Sequence, residues 1–317
     1  MKAFLLLVFV LCASGCQIPW YASNASGIVE RIANSKTSDQ LLAELPQEAP
    51  HRKALEDLPE VLEFARDKGL NVGGAYQRID VMPDPVSFIV IAAQPESLTL
   101  HQWDFPIVGL APYKGYRFLK HAQREAQALQ SQGLISCVYP VEAFSSLGWF
   151  PEALPGAILS LSEPRRVRII FHELVHRTIF FPGKADLNES LANYLGDEFA
   201  KEWIEKRYGR ESVQFVDLHD EIQDQERLRQ RVLRLKEQWS APTLQDDLEQ
   251  FQEELRSETW MSQMGREQSV RIWTLPMILM LQVYDSGAWP WKEVWEKCQG
   301  DVDVLQWLIQ REFLGTP

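Results

Sequence analysis

The chain has 317 residues, 45% hydrophobic and 24% charged, which excludes disordered, collagen-like and repeat-dominated architectures and implies a folded body with a real core. Thirty-two Lys and Arg against 44 Asp and Glu leave a formal charge of -12. That balance argues against nucleic acid as a partner, because phosphate binding needs clustered cations, and against polybasic attachment to a membrane.

Met1 and Lys2 precede an apolar run, Ala3 to Leu11, too short for a spanning helix of about 20 residues. It reads as a secretory signal peptide. The run ends Leu11-Cys12-Ala13-Ser14-Gly15-Cys16 and resembles the lipobox of bacterial lipoproteins, although Ala13 stands where leucine is commoner. In that class the cysteine is lipidated, so the resemblance makes residues 1–16 the signal and Cys16 the lipid anchor to the membrane. The other reading is an ordinary cleavage site after small residues. Gln17 is not the aspartate that retains such lipoproteins at the inner membrane, so the likeness implies an outer-membrane anchor with the body in the periplasm. Cys137 and Cys298 then remain, either as one disulfide or as two buried thiols.

Residues 17–80 predict a leading helical segment: Ile28, Ile32, Leu41, Leu42, Leu45, Leu55, Leu58, Leu62 and Phe64 recur at helical spacing, punctuated by Pro46, Pro50 and Pro59. From Val81 to Leu161 the runs Phe88–Ile91, Phe105–Val108 and Ile135–Tyr139 predict a sheet, with a helix over Phe118–Leu129. After Glu198 two apolar stripes, Leu228, Val232, Leu235, Trp239 and Leu244, Leu248, Phe251, Leu255, meet at Ser240-Ala241-Pro242. They predict a helical hairpin docked on the domain, being too short for a separate coiled coil.

The chemistry sits in His172-Glu173-Leu174-Val175-His176, on a helix opened by Ser162 as N-cap with Pro164 in the first turn. Two histidines four apart are separated by about 400° of rotation, so both imidazoles leave one side and converge on one ion. Glu173 lies beside them, placed to take a proton from water without ligating. The bland alternative is two histidines satisfied by carbonyls and salt links, which apolar flanks make costly. A catalytic zinc needs a third ligand and an open position. Glu189, thirteen residues after His176 and following the turn at Pro182-Gly183, is the candidate. Asn193, one turn later, is either a hydrogen-bond partner for a ligand or a surface residue.

Asn188-Glu189 resembles the second ligand helix of gluzincin metallopeptidases. Those enzymes place this glutamate further downstream, level with Leu195 and Gly196, which cannot ligate; Asp197 and Glu198 stand just beyond as alternatives. Taken with Trp103-Asp104-Phe105-Pro106, Tyr113-Lys114-Gly115-Tyr116, Ser145-Ser146-Leu147-Gly148-Trp149-Phe150 and Leu187–Ser190, the chain resembles a family of bacterial lipoproteins described as putative aminopeptidases. The likeness runs from about residue 20 to 200 and continues loosely beyond. Asp104 replaces a cysteine common in that family, and Arg177 a glutamine; the arginine places a cation near the metal helix for a substrate carboxylate or a structural acid. Tyr113, Tyr116, Gly148 and Trp149 either line a cleft or pack a core turn.

The expected fold is α+β, mainly helical: a zincin-like metallopeptidase core with a small sheet at 81–200 and a helical C-terminal region at 201–317 packed on it. The expected function is a Zn2+-dependent peptidase in the cell envelope, with His172, His176 and Glu189 on the metal, Glu173 as general base and acid, and a peptide as substrate. Exopeptidase action is an implication of the family name. Two other readings remain: a non-catalytic envelope lipoprotein with a retained metal site that binds or scaffolds, and a metallohydrolase acting on a non-peptide amide of the cell wall.

Overall fold

The computed structural model describes residues 18–315 apart from 84, 106–108, 142–152, 240 and 285–288. The signal peptide, Cys16, Pro106 and the Ser145–Phe150 motif lie outside the described residues.

The leading segment forms α1 (Ile18–Asn34), α2 (Ser38–Glu44) and α3 (Arg52–Asp67). Thr37 opens α2 with a capping box, its hydroxyl accepting from the Gln40 amide while the Gln40 side chain accepts from the Thr37 amide. The expectation of a break at each proline fails at Pro59, which lies inside α3. Interrupting a helix with proline costs about 3 kcal/mol. Leu55, Leu58, Val61 and Leu62 are buried along the opposite stripe, each contributing roughly 1.5–3 kcal/mol, so packing overrides the local penalty.

Two short strands appear outside the predicted sheet region: β1 (Lys36–Thr37) pairs antiparallel with β2 (Arg78–Asp80), which pairs parallel with β9 (Leu154–Pro155). Inside it, β3 (Ser87–Gln94) is central, with β8 (Ile135–Val141) on one side and β4 (Thr99–Leu100) and β7 (Lys114–Tyr116) on the other, all antiparallel. A separate hairpin joins β5 (Trp103–Phe105) to β6 (Gly109–Ala111). Side chains alternate across a strand, and the two faces of β3 have different partners. Val90 and Ala92 pack with Tyr116 and with Ala122, Ala126 and Leu129 of α4 (Leu119–Gln130), the predicted helix shifted by one residue. Ala93, on the opposite face, packs among the C-terminal helices.

Beyond the sheet come α5 (Glu163–Thr178), α6 (Ala185–Tyr208), α7 (Val213–Gln238), α8 (Leu244–Ser257), α9 (Gln263–Val270), α10 (Leu275–Tyr284), α11 (Trp291–Lys297) and α12 (Val302–Leu308). The protein is therefore α+β and mainly helical. The hairpin predicted at Pro242 is present: α7 and α8 run antiparallel, with Arg231 bonded to Glu254 at 3.1 Å and Glu258 at 2.9 Å. Leu228, Val232, Leu235, Phe251 and Leu255 are buried between this pair, α10 and β3. The largest buried cluster joins Leu55 and Phe64 of α3, Phe171 of α5, Phe199 of α6, and Trp291 and Val302 at the C-terminal end. Cys137 and Cys298 are both free thiols, which settles the alternative between disulfide and separate thiols. Among the described residues no helix is long and apolar enough to cross a membrane.

Candidate metal centre

Helix α5 is held by its apolar stripe. Val167, Ile170, Phe171, Leu174 and Val175 are buried, which turns the intervening positions 172 and 176 toward α6. Ser162 occupies the N-cap position as expected, with Pro164 in the first turn, but its side chain makes no capping bond. The His172 and His176 rings stand edge to face, and their Nε2 atoms are 3.1 Å apart. Oε2 of Glu189 lies 3.5 Å from each Nε2.

Helix α6 returns beside α5 over the short connection between Thr178 and Ala185, and two features make this work. Asn188 is buried and clamps Phe181 in the connecting turn: its side-chain oxygen accepts from the Phe181 amide at 2.9 Å, and its side-chain nitrogen donates to the Phe181 carbonyl at 2.8 Å. Further along, Gly196 faces the backbone of α5 so closely that a Cβ there would sit 3.2 Å from Arg168 O and 3.3 Å from His172 N. Gly196 does not ligate; it lets the two helices approach at the level of the first histidine. The Ser190 hydroxyl also receives a hydrogen bond from Trp291 Nε1 at 3.1 Å, tying the Glu189 turn to the C-terminal aromatics.

The alternative third ligands are engaged elsewhere. Asp197 accepts from Arg168 Nε at 2.6 Å, and Glu198 accepts from Lys201 at 2.7 Å. Asn193 is half-buried on α6. Arg177 donates from Nε to the Asn71 carbonyl at 3.2 Å, a partner that neither expectation named.

Ligand atoms bound tetrahedrally at about 2.0–2.1 Å lie about 3.3 Å from one another. The three observed separations fit that triangle. Burial alone would raise the Glu189 carboxyl, but His176 and His172 outweigh it and hold its pKa at about 2, so Glu189 is anionic, the form in which a carboxylate binds a metal. Among the described residues, this is the group of His, Cys, Asp and Glu side chains placed to hold an ion. Two imidazoles and one carboxylate are the ligand set of catalytic sites that keep a position open.

The sheet supplies what the motif left unnamed. In register, Gly115 of β7, Ile89 of β3 and Tyr139 of β8 lie in one row. Tyr113 immediately precedes β7. Burial raises the Tyr113 phenol well above the usual tyrosine range, and the negative charges of Glu189 and Glu173 raise it further. Tyr116 instead is buried on the opposite face with α4. Tyr139 is raised by burial and by Cys137, lowered by Arg271, and raised by Glu189. Cys137 and Tyr139 lie two apart on β8 and so share one face of it.

A family model described as "Putative aminopeptidase" matches residues 19–305. The chain belongs to the putative aminopeptidase family. No curated protein and no solved structure matches it. The family name supports a peptidase, and the match extends through the C-terminal helices, beyond the part of the chain that carries the sequence motifs.

Proposed function

We propose that this member of the putative aminopeptidase family is a zinc-dependent metallopeptidase that hydrolyses peptide bonds, anchored by lipid at Cys16 with its body in the periplasm. The observation that carries this reading is the triangle of His172, His176 and Glu189, whose spacing suits a tetrahedral ion. A zinc ion bound there supplies a Lewis acid and lowers the pKa of a water molecule.

The protein's own groups divide the remaining work. Glu173 takes the proton from the attacking water and passes it to the nitrogen of the departing amine, so one carboxyl serves as base and then acid. Tyr113 keeps its proton and donates a hydrogen bond to the carbonyl oxygen as negative charge develops on it. Glu189 stays ionised, and Asn188 and Gly196 fix the helix that carries it. The lipid anchor is supported by the small residues that lead to Cys16, and the exopeptidase mode by the family name.

The test is the metal content of the mature protein from residue 17 onward, beside Glu189→Ala, followed by a peptide library with Glu173→Gln as control. One zinc in the parent, a large loss in Glu189→Ala, and peptide cleavage that Glu173→Gln abolishes while keeping its zinc are the expected results. Equal zinc in both proteins would refute Glu189 as ligand. No zinc in either after reconstitution would refute the metallopeptidase and favour a binding lipoprotein.

A further inference from the structure

Three consecutive polar residues of α6, Asn188, Glu189 and Ser190, are buried between Leu187 and Leu191. A buried polar group without a partner is costly, and each of the three has its own. Asn188 clamps Phe181 in the turn before the helix, and Glu189 faces the two histidines. The Ser190 hydroxyl accepts from Trp291 Nε1 at 3.1 Å and donates to the Leu187 carbonyl at 3.2 Å. Successive side chains leave a helix about 100° apart around its axis, so Asn188 and Ser190 grip α6 on either side of the direction taken by Glu189.

Trp291 is itself held firmly. It is buried as the first residue of α11, its ring stacks on Trp289 with centres 5.6 Å apart, and the Phe313 ring lies 6.4 Å away. One turn later Trp295 meets Phe199 of α6 edge to face at 5.8 Å, and Phe199 meets Phe171, the neighbour of His172, at 6.2 Å. The C-terminal aromatics thus touch the supports of both ligand helices. A carboxylate carried about 5–6 Å from the axis of α6 moves by about 0.2 Å, the tolerance of a metal site, when the helix rolls by roughly 2°. An apolar ring without a donor would fill the same space; what tryptophan adds at position 291 is the N–H.

We propose that Trp291 is a positioning residue for the metal centre: through Ser190 its indole N–H sets the roll of α6 and with it the place of Glu189. This rests on the reading of Glu189 as a metal ligand. It gives α11, which lies within the matched residues 19–305, a part in ion binding from outside the motif helices.

The experiment compares the mature protein with Trp291→Phe, Ser190→Ala and their double variant, with Glu189→Ala as reference. Zinc affinity is measured against a chromophoric chelator, the ligand geometry by the d–d absorption of the Co2+-loaded protein, and folding by the melting temperature without metal. Each single variant is expected to bind zinc about tenfold more weakly, at the lower end for groups that orient ligands without touching the ion, and to shift the cobalt bands. The double variant should lose no more than either single one, because one hydrogen bond is removed in all three. Parent-like zinc affinity and cobalt bands in the single variants, while Glu189→Ala loses zinc, overturn the inference and leave the ligand set standing, whatever the melting temperatures. Additive losses in the double variant overturn it as well. Zinc binding untouched by Glu189→Ala refutes the ligand set and the inference together. Ser190→Ala removes a single oxygen and decides the matter alone if Trp291→Phe does not fold.

Discussion

Replacing Gly196 by alanine tests whether close helix approach is what shapes the ligand triangle. The added Cβ would stand 3.2 Å from Arg168 O, 3.3 Å from His172 N and 3.4 Å from His172 Cα, where carbon contacts prefer about 3.5–4.0 Å. All three atoms belong to the backbone of α5, so no side-chain rotation relieves the contact and the helices must separate by a few tenths of an ångström. Overpacking of this kind costs about 1–3 kcal/mol, while alanine returns roughly 1 kcal/mol of helix propensity. The zinc-free protein should therefore lose only about 0–2 kcal/mol. The metal site is less forgiving, because ligand distances must hold within about 0.2 Å and His172 rides on the displaced segment. We expect Gly196→Ala to bind zinc about tenfold more weakly, or about 1.4 kcal/mol, in competition with a chromophoric chelator, with a melting temperature in the zinc-free state close to the parent's. A folded Gly196→Ala protein with the parent's zinc affinity would refute the reasoning.

Tyr113→Phe should keep its zinc and lower kcat by about 10²–10³ with little change in KM, since the phenol is used in the transition state; an unchanged kcat on a cleaved peptide would remove Tyr113 from the mechanism. Without metal, stability should depend on acid in a defined direction. The Glu189 pKa is depressed from 4.5 to about 2, so its contribution is present above the unfolded value and is lost as pH falls through the folded one. Urea midpoints of the zinc-free protein should fall between pH 5 and pH 2, and Glu189→Gln should flatten that part of the curve; an identical slope in both would show that the carboxylate is not held by the histidines.

The metal motif was legible because it is local. Histidines at i and i+4 share a helix face whatever surrounds them, and the apolar positions around them named the buried side of α5 correctly. The same holds for α4 and for the hairpin at Pro242, where period and breaker residues agree. Pro59 misled because a local penalty was read without the buried stripe that offsets it. Ser162 sits at the predicted cap position without making the bond, since residue type licenses a cap but does not place its hydroxyl.

The choice of Glu189 over Asp197 and Glu198 needed the fold. All three carboxylates lie on α6 within reach by sequence, and what separates them is that Arg168 and Lys201 take the other two. Tyr113 and Tyr139 come from the approach to β7 and from the edge strand β8, and the charge of Glu189 on α6 reaches both only in the folded arrangement of sheet and helices. From the sequence alone came the α+β class and the helix that carries His172, Glu173 and His176, because each depends on contacts within a few turns of chain. The carboxylate that joins the two histidines, the clamp on its connecting turn and the glycine that admits its helix were decided only in tertiary structure, because each is a contact between segments whose distance in space no local periodicity encodes.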